Sequence, residues 1–265
     1  MDIRVIYKHH IRNYLTQDGK TPQEISALAR RQVENYETVK FYEGLAVSGI
    51  KTANGFEVTT DAEYKFTASK LIVATGIKDI MSDIKGFSEC WGISVIHCPY
   101  CHGYEFRYQK TAILANGSRA IHLASLVNNL SSKLAILTSG NPDFDNEQIV
   151  KLQKNKIEII EPGITEIVHE KGQVKNVIFK DDSVKVFDAI YATIPFVQNS
   201  DIPVKLGCEL SEEGFIKVNA FQQTSVSGIY ACGDNTTFIR SVANAVAAGN
   251  FAGAMVNKEL CDEHF

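Results

Sequence analysis

Two stretches of this 265-residue chain run through the same series of elements, and that repeat limits the fold more than any other feature. In the first stretch, Thr21-Pro22-Gln23-Glu24 predicts an N-cap, a proline at the first helical position and the glutamate of a capping box. Ile25, Leu28, Ala29 and Val33 follow at helical spacing, so the helix is expected to run to about Tyr36. A short strand is expected over residues 39–42, then three more near 46–52, 55–60 and 62–66, with Asn54-Gly55 as a hairpin turn. The stretch closes in the apolar run 70–76, Lys-Leu-Ile-Val-Ala-Thr-Gly.

The second stretch opens with an apolar strand over 110–115 that runs into Ala115-Asn116-Gly117-Ser118-Arg119-Ala120 and a helix to about Asn129. A strand over 133–138, a helix over 146–155 and a strand over 156–161 come next. A second three-strand meander over 164–186 follows, with Glu170-Lys171-Gly172 as its first turn. Its last strand, 188–194, ends in Ala192-Thr193 as the first stretch ends in Ala74-Thr75. The fold expected is therefore α/β, with two Rossmann-like nucleotide-binding domains, each carrying a three-stranded β-meander. The first repeat has no strand–glycine loop–helix opening, and Met1–Gly19 is shorter than the roughly 30 residues of a βαβ unit. We therefore expect the first domain to be truncated.

Composition narrows the function classes. A formal net charge of −4 with dispersed Lys and Arg gives no footprint for nucleic acid. No apolar run reaches the length of a membrane span and the first ten residues hold no signal-peptide core, so a cytoplasmic setting is expected, where structural disulfides are rare. Of the six cysteines only Cys98 and Cys101 are close in sequence, in His97-Cys98-Pro99-Tyr100-Cys101-His102. This spacing supplies an attacking and a resolving thiol for reversible disulfide exchange, and a neighbouring imidazolium lowers a thiol's pKa. Half a zinc site, with His97, His102 or Cys90 nearby, and inert packed cysteines are the alternatives. Cys208 and Cys232 read as buried small hydrophobes.

The loop at Ala115–Ala120 stands after a strand and before a helix, the context a dinucleotide fingerprint requires. Gly117 and Ala120 keep its second and third small positions, whereas Ala115 replaces the first glycine. The following strand ends in Thr138-Ser139-Gly140, without the acid that grips an NAD ribose or the arginine that grips the 2′-phosphate of NADP. Weak binding of NADPH or NADH, or a turn kept for packing, are both open. Gly233-Asp234 ends the short strand 227–231, where glycine admits a ligand and a carboxylate accepts sugar hydroxyls; an ordinary strand-to-helix turn reads equally well. The run 241–254 is rich in Ala and Gly, and its helix N-terminus favours an electron-rich ring edge.

Taken in order, Leu15-Thr16-Gln17-Asp18-Gly19, Ala74-Thr75-Gly76, Cys98–Cys101, the second glycine loop, Gly233-Asp234 and Arg240-Ser241-Val242 make the chain resemble the thioredoxin reductase family. The resemblance implies a discontinuous FAD-type domain, 1–82 with 197–265, contacted through Asp18, Gly19, Thr75, Gly76, Gly233, Asp234, Arg240, Ser241 and Val242. It further implies an NAD(P)-type domain, 83–196, that carries the dithiol and takes NADPH, and a homodimer. Cys101 would be the thiol nearest the flavin and Cys98 the one that attacks substrate. His102, Gly103, Tyr104 and Glu105 follow the dithiol where the reductases proper place an acid next. That is closer to the related dithiol oxidases, which resemble gliotoxin oxidase, and His102 would act there as the base.

The resulting expectation is an FAD-dependent thiol/disulfide oxidoreductase acting on a small-molecule or protein dithiol or disulfide. No resident metal, nucleic acid or membrane is expected. A truncated remnant acting as a binding or oligomerisation module without flavin is the alternative. On the truncation reading the chain binds FAD poorly and self-associates, and roughly 30–40 upstream residues of strand–glycine loop–helix type restore a flavinylated protein.

Overall fold

The structure is a computed structural model and describes residues 11–265. Helix α1 covers Pro22–Val33, and its start is the expected capping box. Thr21 Oγ1 accepts from Glu24 N at 3.2 Å, and Glu24 Oε2 accepts from Thr21 N at 2.8 Å. Strands β1 (Ala46–Thr52), β2 (Gly55–Thr60) and β3 (Lys65–Ala68) form an antiparallel meander that turns at Asn54-Gly55. Then come β4 (Leu71–Val73), β5 (Ile77–Asp79), α2 (Phe87–Cys90), β6 (Val95–Ile96), α3 (Pro99–His102) and β7 (Thr111–Leu114). Helix α4 (Gly117–Val127), β8 (Leu134–Leu137), α5 (Asn146–Lys154) and β9 (Glu158–Ile160) follow. The second meander is β10 (Ile164–Glu170), β11 (Gln173–Phe179) and β12 (Val184–Val186). The chain ends with β13 (Ala189–Ala192), β14 (Phe196–Gln198), α6 (Ile202–Lys205), β15 (Ile229–Ala231) and α7 (Val242–His264).

Two expectations of local structure change. Helix α1 stops at Val33 rather than near Tyr36. Residues 39–42 form no strand: Val39 and Tyr42 are exposed, and β-branched and aromatic character alone gave them no ladder to join.

The chain divides into two compact units, which are described separately. One holds residues 11–30 with Ile80–Pro195; the other holds Arg31–Asp79 with Phe196–Phe265, and is discontinuous in sequence. The first unit is built on a five-stranded, all-parallel sheet in the order β6-β13-β7-β8-β9. Successive side chains on a strand point to opposite faces, and both faces here are covered. Ile113, Leu134, Ile136 and Tyr191 pack with Leu123, Val127 and Leu152 of the helices α4 and α5. Ala112, Leu137, Ile190 and Ala192 pack on the other side with Phe87, Trp91, Val177 and Phe179, from α2 and the meander β10–β12. Ile113 and Ile136 are fully buried, each contributing about 1.5–3 kcal/mol by burial.

The second unit has a smaller core of Phe56, Val73, Cys208, Ile216, Ile229 and Ala231. Its parallel pair is β4 with β15, in the register Leu71↔Ile229 to Val73↔Ala231. The antiparallel pair β5–β14 lies beyond β4 in sequence. Among the described residues β4 is paired on one side only. Helix α7 buries a single residue, Ala252, out of 23.

Candidate active site

The dithiol hangs from the carboxyl end of an edge strand. Strand β6 pairs with β13 through Val95↔Ile190 and Ile96↔Tyr191, and the chain leaves it through His97 into α3. Ser94 anchors this passage in the core: its hydroxyl donates to Gly172 O at 2.6 Å and accepts from Val174 N at 2.9 Å. Cys98 is the extended N-cap residue of α3, and the proline favoured at a first helical position is Pro99. Cys98 O accepts from the amides of Cys101 and His102, both at 3.3 Å, so one turn carries both thiols and an imidazole. Cys98, Cys101, His97 and His102 are all half-buried. Among the described residues no three His, Cys, Asp or Glu side chains gather as a metal-ligand set.

The other cysteines differ in physical character. Cys90, Cys208 and Cys232 are buried, and burial pushes each thiol upward, Cys90 to about 11. Thiols held so high are poor nucleophiles near neutrality. Cys261 is exposed on α7, with no second cysteine close in sequence. The Cys98–Cys101 turn therefore stands apart as the accessible thiol pair.

The glycine loop lies between β7 and α4 at the same carboxyl edge of the sheet. Gly117 has φ of +60°, a conformation that favours glycine. Asn116 caps α4 through its own side chain: Oδ1 accepts from Gly117 N and from Asp143 N, each at 2.9 Å. Its Nδ2 donates to Asn141 O at 2.9 Å. Ala120 is fully buried and packs α4 against the sheet.

In the second unit a polar cluster forms at the carboxyl ends of β4 and β15. Asn235 is fully buried and its Nδ2 donates to Val73 O at 3.0 Å. Asn199 Nδ2 donates to Thr75 O at 3.2 Å, while Gly76 leaves open space where a Cβ would stand. Gly233, φ +86°, faces the first turn of α7, its virtual Cβ lying 3.9 Å from Ala245. Ser241 caps α7 by accepting from Asn244 N at 3.2 Å, and Arg240 pairs with Asp79. Burial raises the Asp234 carboxyl above its ordinary value; Arg240 opposes this and Asp79 adds to it. Asn235 Oδ1 and Gln198 Oε1 are buried here without a hydrogen-bond partner.

Of the residues singled out in the sequence, Thr75, Gly76, Gly233, Asp234, Arg240, Ser241 and Val242 thus share one unit. Asp18 and Gly19 fall in the other. Their loop rests on the dithiol turn: Asn13 Nδ2 donates to Tyr100 O at 2.7 Å, and Arg12 reaches Glu105 at 3.0 Å and Asp18 at 3.8 Å. Sequence reasoning missed Asp79, Asn235, Asn116 and Asp143. Only Asn116, an N-cap residue type just before the helix, carried a signal that could have been read.

A parallel sheet with a Cys-x-x-Cys turn at its edge and a glycine loop, in one unit, and a second unit with its own parallel strand pair form a Rossmann-like α/β oxidoreductase fold. The pyridine nucleotide-disulphide oxidoreductase family matches residues 4–249, and the chain belongs to that family. It is 33% identical over 260 residues to the thioredoxin reductase tcpT of Claviceps purpurea, covering 92% of this chain and 79% of that one. Among solved structures it resembles a thioredoxin reductase TrxB from Bacillus anthracis, TM-score 0.91 at 29% identity, over 97% of this chain and 87% of the other. An oxidoreductase from Agrobacterium tumefaciens gives a TM-score of 0.88 at 34% identity, over 96% and 85%.

Proposed function

We propose that the chain is an FAD-dependent thiol/disulfide oxidoreductase that works through Cys98 and Cys101. The observation that carries this reading is the single turn α3, which holds two accessible thiols between two histidines while Cys90, Cys208 and Cys232 are buried. In the reducing direction, the Cys98 thiolate attacks a substrate disulfide, forming a mixed disulfide and releasing one substrate thiolate. Cys101 then attacks Cys98 Sγ, which closes the Cys98–Cys101 disulfide and releases the second thiolate. The dithiol loses two electrons and the substrate gains them. In the oxidising direction the same steps run backwards on a substrate dithiol. His102 takes up and returns the thiol proton, the general acid–base role open to an imidazole. Tyr100 and Tyr104, exposed beside the thiols, offer apolar surface to the partner, a small-molecule or protein disulfide.

Bound FAD would supply the two-electron donor and acceptor for this dithiol. The residues of the second unit suit the ring and sugar-chain half of such a group. Gly233 and Gly76 admit close approach, Asp234 offers a carboxylate for hydroxyls, and the N-terminus of the 23-residue α7 favours an electron-rich edge. The unpartnered buried oxygens of Asn235 and Gln198 are further acceptors there. A cytoplasmic homodimer completes the reading; no helix among the described residues is long and apolar enough to cross a membrane.

The test is differential alkylation and mass mapping after mild oxidation. Cys98 and Cys101 should become protected together, reversibly, while Cys261 stays alkylatable. Full alkylation of both under oxidant would end the redox assignment. The flavin content of the purified protein decides the cofactor independently.

A further inference from the structure

We infer that the glycine loop of the first unit is closed to a dinucleotide, sealed by Asn116 and Asp143 of this same chain, so that the dithiol is not served by a nicotinamide coenzyme bound there. A dinucleotide site needs free amides at the start of the helix, a glycine that lets the pyrophosphate approach, and no competing negative charge. Here the first of those amides is taken, and a carboxylate stands over the glycine and supplies the competing charge. Gly117 N, the first amide of α4, is taken by Asn116 Oδ1 at 2.9 Å. The same oxygen accepts from Asp143 N at 2.9 Å, and Asn116 Nδ2 donates to Asn141 O at 2.9 Å, stitching the loop after β8 onto the glycine loop.

The ground over Gly117 is occupied as well. A Cβ added to Gly117 would lie 3.2 Å from Asp143 Oδ2 and 3.5 Å from Asp143 O. The exposed carboxylate of Asp143, from this same chain, thus stands at the room that glycine provides for a phosphate. Placing that carboxylate at the amino end of α4 satisfies the helix dipole from within and repels a second anion. At the far end of the same loop, Thr138 Oγ1 donates to Gly140 O at 2.7 Å and Ser139 and Gly140 carry no charge for a ribose or its 2′-phosphate. Asn116 and Asp143 are thus specificity determinants that act by exclusion.

The experiment is a fluorescence titration with NADH and with NADPH, read as binding and not as turnover. The native chain should show no saturation into the millimolar range with either. Asp143→Asn removes the charge and keeps the shape; Asn116→Gly with Asp143→Asn also frees the Gly117 amide. The double variant should bind at least about tenfold more tightly than the native chain. Circular dichroism confirms that it remains folded, and Asp143→Asn alone, expected to give a smaller gain, is the milder alternative. Low-micromolar saturation of the native chain would overturn the inference outright. A folded double variant with no gain would overturn the assignment of the seal to these two side chains. Neither outcome bears on disulfide formation between Cys98 and Cys101, so failure here is distinguishable from failure of the proposed function.

Discussion

The guanidinium of Arg240 meets the carboxylate of Asp79 in a two-pronged ion pair, 3.0 Å at each contact, with side chains only 15% and 5% exposed. It ties β5 to the residues that lead into α7, 161 positions further along the chain. Parallel N–H···O bonds in this geometry are the strong ones, and removing one partner takes the two-pronged contact away from a largely buried charge. Arg240→Ala or Asp79→Asn should each destabilise the protein by about 3 kcal/mol. Asp79→Leu combined with Arg240→Met should cost clearly less than the sum. Urea unfolding of these three variants beside the native chain checks this, and a double-variant loss equal to the sum of the single losses would show that the pair is not coupled.

A second network fixes the far end of α7. Lys70 Nζ donates to Glu259 at 2.7 Å and to Glu263 at 2.5 Å, and the Tyr230 hydroxyl donates to Glu259. The Lys70 ammonium, then Tyr230, hold the Glu259 carboxyl below its ordinary 4.5, so its contribution is present above that value and is lost as pH falls through the lowered one. Lys70 is raised above 10.5 by Glu259 first and Glu263 next, so its share persists below that value and is lost at still higher pH. Glu259→Gln should lower the melting temperature near neutrality and flatten the fall on acidification from about pH 7 to about pH 3. An unchanged pH slope would remove Glu259 from the account.

The two thiols should separate by substitution. Cys101→Ser leaves attack possible and removes resolution, so a stable mixed disulfide should accumulate on Cys98 with a small aromatic disulfide probe. Cys98→Ser should trap far less. Intact-mass measurement distinguishes the two, and a reversed pattern would exchange the roles of Cys98 and Cys101.

Tyr191 is fully buried on β13 with its hydroxyl unpartnered, and burial, with smaller contributions from Cys98 and Glu105, pushes it up to about 12. An unsatisfied buried hydroxyl costs about 1–3 kcal/mol in desolvation, so Tyr191→Phe should be neutral or stabilise the chain by about 1 kcal/mol. A clear loss in urea unfolding would mean that the hydroxyl has a partner that matters.

What the sequence disclosed follows its physics. Period and turn chemistry are local, so both meanders, the capping box at Thr21 and the β7–α4 loop could be read directly. The Cys98–Cys101 spacing is local too. Asp79 could not be found this way, because its meaning depends on Arg240, and nothing along the chain says that β5 turns back beneath α7's start. Asp143 is an ordinary loop aspartate until the fold sets it against Gly117. Residues 39–42 show the opposite failure: strand composition is a poor guide where no neighbouring strand is supplied.

The mounting of the thiols has a mechanical meaning. Strand β6 is two residues long and lies at the edge of its sheet, with β13 as its neighbouring strand and a further bridge from Val95 to Trp91, whereas β7 and β8 are flanked by strands on both sides. Val95 and Ile96 are themselves buried in the core, so whatever freedom Cys98 and Cys101 have lies beyond the strand, in the half-buried turn α3. Amide hydrogens of residues 100–103 should accordingly exchange faster than those of β7 and β8. The Cys98–Cys101 turn is thus a short overhang beyond a segment pinned at Ser94, and a swing of that overhang would leave the buried strand beneath it in place.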